Sequence, residues 1–142
     1  MKTLHLSFVV LLLTFISLCN AQTEKKITTN KKKAENINIY YFHFTARCIT
    51  CKTVENESKK IVETLYPEHI KKGKISFKSI NIDDPSSAQL VKLYNVGGQS
   101  LLITKGNIKI DITREGFMYA RTNPEKLKVV IKEQIDRLLS SK

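Results

Sequence analysis

Two cysteines, Cys48 and Cys51 in the run Arg47-Cys48-Ile49-Thr50-Cys51, are the residues of this chain best placed to do chemistry. A disulfide that closes so small a loop removes little chain entropy, so it would be a poor staple. The pair therefore reads as reactive rather than structural. Only a thiolate attacks a disulfide or binds a soft metal, which makes the local cause of cysteine acidity the deciding question. Cys48 falls where an apolar β-run ends and a helical pattern begins. Free backbone N–H groups and the helix dipole favour negative charge there. Arg47 and Lys52 add positive charge on either side. Cys48 is thus the expected exposed nucleophile, and Cys51, one turn into the helix, the partly buried resolving thiol. A pair of inert or merely structural cysteines is the bland alternative.

The elements that must position this pair follow from periodicity and punctuation. Residues 37–44 (INIYYFHF) are β-branched and aromatic, too continuously apolar for an edge strand, and predict a central strand covered on both faces. A helix over 49–66 places Val54, Ile61, Val62 and Leu65 among charges, with Pro67 at its end. Residues 74–82 (KISFKSINI) alternate as a strand. Asp84-Pro85 is an N-cap followed by proline and opens a helix to Tyr94; Gly97-Gly98 breaks the pattern. Strands at 100–104 and 108–112 flank a Lys105-Gly106-Asn107 turn and predict a hairpin. Asn123-Pro124-Glu125 repeats the helix-start signal. The last helix carries Leu127, Val130, Ile131, Ile135, Leu138 and Leu139 along one face. The order β-α-β-α-β-β-α predicts an α/β three-layer sandwich with a mixed sheet. The connection 113–123 is longer than a hairpin-to-helix link requires, and its Phe117, Met118 and Tyr119 are expected to form a local packing cluster or a docking surface.

The N-terminus reads as an export signal. Lys2 precedes an apolar run over 6–18, and Cys19-Asn20-Ala21 offers small residues for cleavage before Gln22. An uncleaved anchor and lipidation on Cys19 are the alternatives. The former has an apolar stretch at the low end of the roughly 20 residues needed to span a bilayer; the latter has bulky Leu18 before the cysteine. Signal 1–21, basic linker 22–36 and a single domain 37–142 are therefore expected, with a periplasmic or cell-envelope location and no transmembrane segment in the mature form. Losing Cys19 leaves two cysteines, an even number suited to an oxidising compartment. The formal net charge of +11 points toward nucleic acid only if export is ignored. The basic residues are spread rather than interleaved with aromatics, which favours a solvated surface or attraction to anionic partners.

With strand, Cys-x-x-Cys and helix in succession, the chain resembles the thioredoxin fold over residues 37–142. The likeness is carried by residues 44–52, by INID at 80–83 and by YNVGGQSLLI at 94–103. More narrowly, RCITC together with FMYARTNPE at 117–125 is similar to a group of small exported thioredoxin-like subunits of nitrophenyl-compound nitroreductases, found beside systems that handle organic arsenicals. That resemblance implies an electron-delivering protein partner, a nitroaromatic or arsenical substrate system, and no cofactor beyond a redox-active Cys48–Cys51 disulfide. The departures are equally definite. Arg47 stands where the family has tryptophan before the first cysteine, and Ile49-Thr50 replaces Gly-Pro. Phe42 occupies the position expected for a buried acid. Ser100 stands where a cis-proline should face the disulfide, and the chain's three prolines all mark helix boundaries.

Three chemistries remain open on these residues. The first is a thiol–disulfide oxidoreductase or electron-transfer subunit, leaning toward a reductase. The second is a metal or metalloid binder, with zinc or trivalent arsenic on the two thiols left unguarded by proline. A complete zinc site is not expected, because His43 lies on the strand, His69 is distant and His5 leaves with the signal. The third is a redox-inert adaptor. His43, five residues before Cys48, is either a hydrogen-bonded core histidine or a proton relay in place of the missing acid.

Overall fold

The computed structural model describes residues 36–141. The expected signal peptide, Cys19 and nearly all of the linker lie outside the described residues. Among the described residues, no helix is long and apolar enough to cross a membrane.

The apolar run at 37–44 forms β1 (Ile37–His43), which takes the centre of the sheet because both of its faces need covering. Strand β2 (Ile75–Asn81) pairs with it in parallel, and β3 (Ser100–Lys105) pairs antiparallel on the other side. Strand β4 (Ile108–Asp111) completes the order β2-β1-β3-β4 as the outer arm of a hairpin. Gly106 sits in the left-handed region (φ 56°) at its turn, as a backbone reversing so tightly requires. Between β1 and β2 run α1 (Ile49–Leu65) and the short α2 (Pro67–Lys71). Pro67 both ends α1 and occupies the first turn of α2. A single 3₁₀ turn (Pro85–Ser87) leads into α3 (Ala88–Tyr94); Asp84 caps the turn by accepting from the Ser86 N–H at 2.8 Å. After β4 come α4 (Thr113–Tyr119) and α5 (Pro124–Ser140), the latter capped by Asn123, whose side chain accepts from the Lys126 N–H at 3.1 Å.

Alternation along β1 divides the core in two. Ile37, Ile39 and Tyr41 face α1, α4 and α5, meeting Val54, Val62, Leu127, Ile131 and Ile135. Tyr40 and Phe42 face the other way, with Leu102, toward Leu90, Val91 and Tyr94 around α3. Each fully buried isoleucine contributes about 1.5–3 kcal/mol relative to exposure, so the α1/α4/α5 side, with the larger apolar cluster, supplies most of the stabilisation. The result is the predicted three-layer α/β sandwich with a mixed sheet, a thioredoxin-like fold.

Two expectations need correction. Residues 113–123 are not a long connection: most of them form α4. Gly116 and the aromatic residues are weak helix formers, so propensity hid the element, but packing demands it. A Cβ on Gly116 would stand 3.1 Å from Leu101 and 3.2 Å from Val54, so glycine lets α4 press onto β3 and α1 without displacing either side chain, and an added methyl would push them aside by a few tenths of an ångström. Phe117 and Tyr119 pack on the core, whereas Met118 is exposed. On α5, Leu127, Ile131, Ile135 and Leu138 are buried, but Leu139 is turned outward and more than a third exposed.

Candidate functional site

Cys48 ends the connection from β1 with extended backbone (φ −75°, ψ 170°) and is the N-cap residue of α1. It is exposed, while Cys51, in the first turn, is 4% exposed. Both are free thiols, with their sulfurs 2.9 Å apart. This is the division the helix start dictates: the N-cap side chain stays at the surface, and the residue three further on turns inward against the sheet. Tyr41 secures the inner one, its buried hydroxyl donating to the Cys51 carbonyl at 2.9 Å.

The Cys48 thiol is held below its ordinary pKa, first by the hydrogen bond from the Cys51 thiol, then by the backbone N–H of Cys51, with smaller help from that of Thr50. The N–H groups are aimed at the sulfur without forming a full side-chain cap. The expectation that Arg47 supplies charge to Cys48 is corrected. The Arg47 guanidinium is ion-paired with Glu55, two turns along α1, and both side chains are largely buried. Burial opposes ionisation of Glu55, yet the Ser79 hydroxyl and the Arg47 guanidinium outweigh it and hold the carboxyl below the usual range. Lys52 is exposed and acts through its backbone, donating its N–H to the Cys48 carbonyl at 3.2 Å.

The remaining expected residues are placed as follows. Ile49 is 67% exposed beside Cys48, and Thr50 accepts from Arg121 at 3.2 Å, which ties the α4–α5 connection to the dithiol turn. His43 is buried at the end of β1, its Nδ1 2.8 Å from the Phe44 carbonyl and its ring stacked near Tyr41. With Nδ1–H donating to that carbonyl, His43 is a buried, hydrogen-bonded side chain at the strand end. Ser100 opens β3 opposite Phe42 and donates to the Gly98 carbonyl at 3.1 Å rather than facing a sulfur. Phe42 itself lies on the α3 side of the sheet, away from the thiols.

Four contributors were not evident from the sequence. Gln99 accepts from the Cys51 thiol through Oε1 at 3.0 Å. Glu55 brings a carboxylate toward the same region from α1. Burial raises the pKa of Tyr41 well above the normal phenol range, reinforced by Cys51 and Glu55, which places the phenol among these groups. Arg121 bridges to Thr50. The Glu55 position was legible in principle, four residues after Cys51 on the same helix face. The Gln99 contact spans 48 residues, and no local pattern signals it. Among the described residues, no three His, Cys, Asp or Glu side chains gather where they could hold a metal ion.

No family model matches the chain, and no curated protein does. Among solved structures the chain is similar to thioredoxin O2 from Arabidopsis thaliana in the oxidized state, at 19% identity over 70% of this chain and 75% of that one (TM-score 0.49). It is also similar to oxidized mitochondrial thioredoxin 3 from Saccharomyces cerevisiae, at 23% identity over 71% and 81% (TM-score 0.45). A third similar structure is a malarial protein, at 15% identity over 69% and 96% (TM-score 0.44). On its own topology the chain is a thioredoxin-like α/β sandwich with a Cys-x-x-Cys pair at the junction of its central strand and first helix.

Proposed function

We propose that this protein is an exported thiol–disulfide oxidoreductase or electron-transfer subunit that cycles Cys48 and Cys51 between dithiol and disulfide. One observation carries the reading: an exposed, acidified Cys48 at a helix start, with a buried thiol 2.9 Å behind it. The Cys48 thiolate attacks a sulfur of a partner disulfide, one partner sulfur leaves as thiolate and takes up a proton, and a mixed disulfide results. Cys51 then loses its proton, attacks Cys48 and releases the second partner thiol. Two electrons and two protons pass to the partner, which is a protein disulfide in the cell envelope. The system served is of the nitroaromatic or organoarsenical reductase kind that the RCITC and FMYARTNPE resemblance implies.

The test is trapping with the mature chain. Cys51→Ser is expected to accumulate a covalent complex that thiol reductant releases, and Cys48→Ser to accumulate none. Equal trapping by both variants would overturn the assignment of attacking and resolving roles.

A further inference from the structure

The Cys51 thiol carries one proton, and two acceptors stand within reach of it: the Cys48 sulfur at 2.9 Å and Gln99 Oε1 at 3.0 Å. Gln99 lies in the connection between α3 and β3, part-buried, just before the strand that pairs with β1. We infer that Gln99 is a positioning residue that competes with Cys48 for the Cys51 proton, and so sets both the acidity of Cys48 and the redox poise of the pair. This rests on the oxidoreductase reading for its functional consequence, but not for its chemistry.

Three states decide the sign. In the disulfide neither sulfur has a proton, and Gln99 Oε1 has nothing to accept. With both cysteines protonated, the Cys51 S–H donates to the amide oxygen, a far better acceptor than a neutral thiol sulfur. With Cys48 ionised, the same proton is drawn to the thiolate, because hydrogen bonds to ionised acceptors are the stronger ones. Gln99 therefore stabilises the dithiol most, the thiolate form less, and the disulfide not at all. Its presence keeps Cys48 less acidic than the helix start and Cys51 alone would make it. It also favours reduction, in which the disulfide takes two electrons and two protons from two glutathione molecules and leaves the dithiol and glutathione disulfide.

The charged and titratable neighbours do not reproduce this pattern. Tyr41 from β1 engages the Cys51 carbonyl, not its sulfur. Glu55 of α1 and Arg47 before it neutralise one another. His43 of β1 engages the Phe44 carbonyl, and Arg121 engages Thr50. Lys52 is exposed on α1 and donates its backbone N–H to the Cys48 carbonyl, not to either sulfur.

The experiment uses the mature chain and two variants, Gln99→Met and Gln99→Glu, with glutathione as the redox probe and thiolate absorbance as the second readout. Methionine keeps the volume and removes the acceptor. It is expected to lower the midpoint of Cys48 ionisation and to shift the glutathione equilibrium about two- to tenfold toward disulfide, as a single neutral hydrogen bond allows. That is about 10–30 mV more reducing at 29.6 mV per tenfold. The shift is expected below the Cys48 pKa and to fade above it, a pH signature that loosened packing does not produce. Glutamate keeps an acceptor and adds negative charge, so it is expected to move the Cys48 midpoint upward. Movement of both variants in the same direction, or no movement in either, would overturn the role of Gln99. A wild-type chain with no reversible glutathione couple would instead sink the oxidoreductase reading, while the ionisation midpoints still report on Gln99.

Discussion

Replacing Arg47 with alanine separates two roles that a cation next to a reactive cysteine is readily given. The guanidinium and its partner Glu55 are 22% and 17% exposed at the side chain, so the pair is shielded more than a surface ion pair and less than a core one. Exposed pairs contribute about 0.2–1 kcal/mol, and breaking a fully buried pair costs about 3–5 kcal/mol. This pair lies between, at about 1.5–3 kcal/mol for Arg47→Ala, because Glu55 would keep its burial and its Ser79 hydroxyl but lose its cation. For a domain of this size that lowers the Tm by roughly 6–12 °C. A double-mutant cycle with Glu55→Gln in urea is expected to give a coupling of about 1–2 kcal/mol.

The pH dependence follows from the depressed carboxyl. Because Glu55 ionises more readily folded than unfolded, its contribution is complete above its unfolded pKa of about 4.3 and disappears as pH falls through the lower folded value. The gap between wild type and Glu55→Gln should therefore be widest near neutrality and close in acid. The same variants read the thiol. A free guanidinium about 4 Å from Cys48 in water would lower its ionisation midpoint by about 0.7 pH. Since Arg47 is engaged elsewhere, Arg47→Ala is expected to raise that midpoint by less than about 0.3 pH. A coupling near zero, or a rise of 0.7 pH or more on the scale just set by Coulomb's law, would refute the assignment of Arg47 to Glu55 rather than to the thiolate.

Two further outcomes follow from the packing and from the source of the thiol's acidity. Gly116→Val forces two methyl groups against Leu101 and Val54 and is expected to cost about 2–3 kcal/mol in urea denaturation. Gly116→Ala should be close to neutral, its crowding offset by about 1 kcal/mol of helix propensity. Iodoacetamide should alkylate Cys48 with a pH midpoint below the ordinary thiol range. Raising salt from about 0.01 to 1 M shortens the screening length from about 30 to 3 Å. It should scarcely move that midpoint, because the stabilising donors touch the sulfur.

Most of the framework was legible because each element carried its own signal. The unbroken apolar run of β1 announced a central strand, and Asp84-Pro85 and Asn123-Pro124 announced helix starts whose caps form as expected. Helix α4 was hidden because tertiary packing, through the close approach at Gly116, overrides weak local propensity. The site divided along the same line. The exposed and buried members of the cysteine pair follow from the helix start, a local feature. The partners of Arg47 and Cys51 depend on side-chain direction and on contacts between distant segments. Counting back to Phe42 for a missing acid failed for a simple reason: a strand alternates faces at every residue. Phe42 faces α3, while Tyr41 faces α1 and its carboxylate neighbour Glu55.

That geometry also changes what the positive charge of the chain can mean. The formal charge of +11 invites the view that the thiolate is stabilised by a basic surround. Yet Arg47 is committed to Glu55 and Arg121 to Thr50, and the groups acting on Cys48 are a thiol and backbone N–H dipoles. Contact donors of that kind are insensitive to salt, whereas a diffuse excess of lysines acts over the screening length of about 8–10 Å at ordinary ionic strength. The two therefore act at different stages. On the reading proposed above, the lysines would bias which surface approaches, and the reactivity met on arrival is set within the pair by a single shared proton. A change of surface charge should then alter the rate of encounter and leave the redox poise alone. A change at Gln99 should do the reverse.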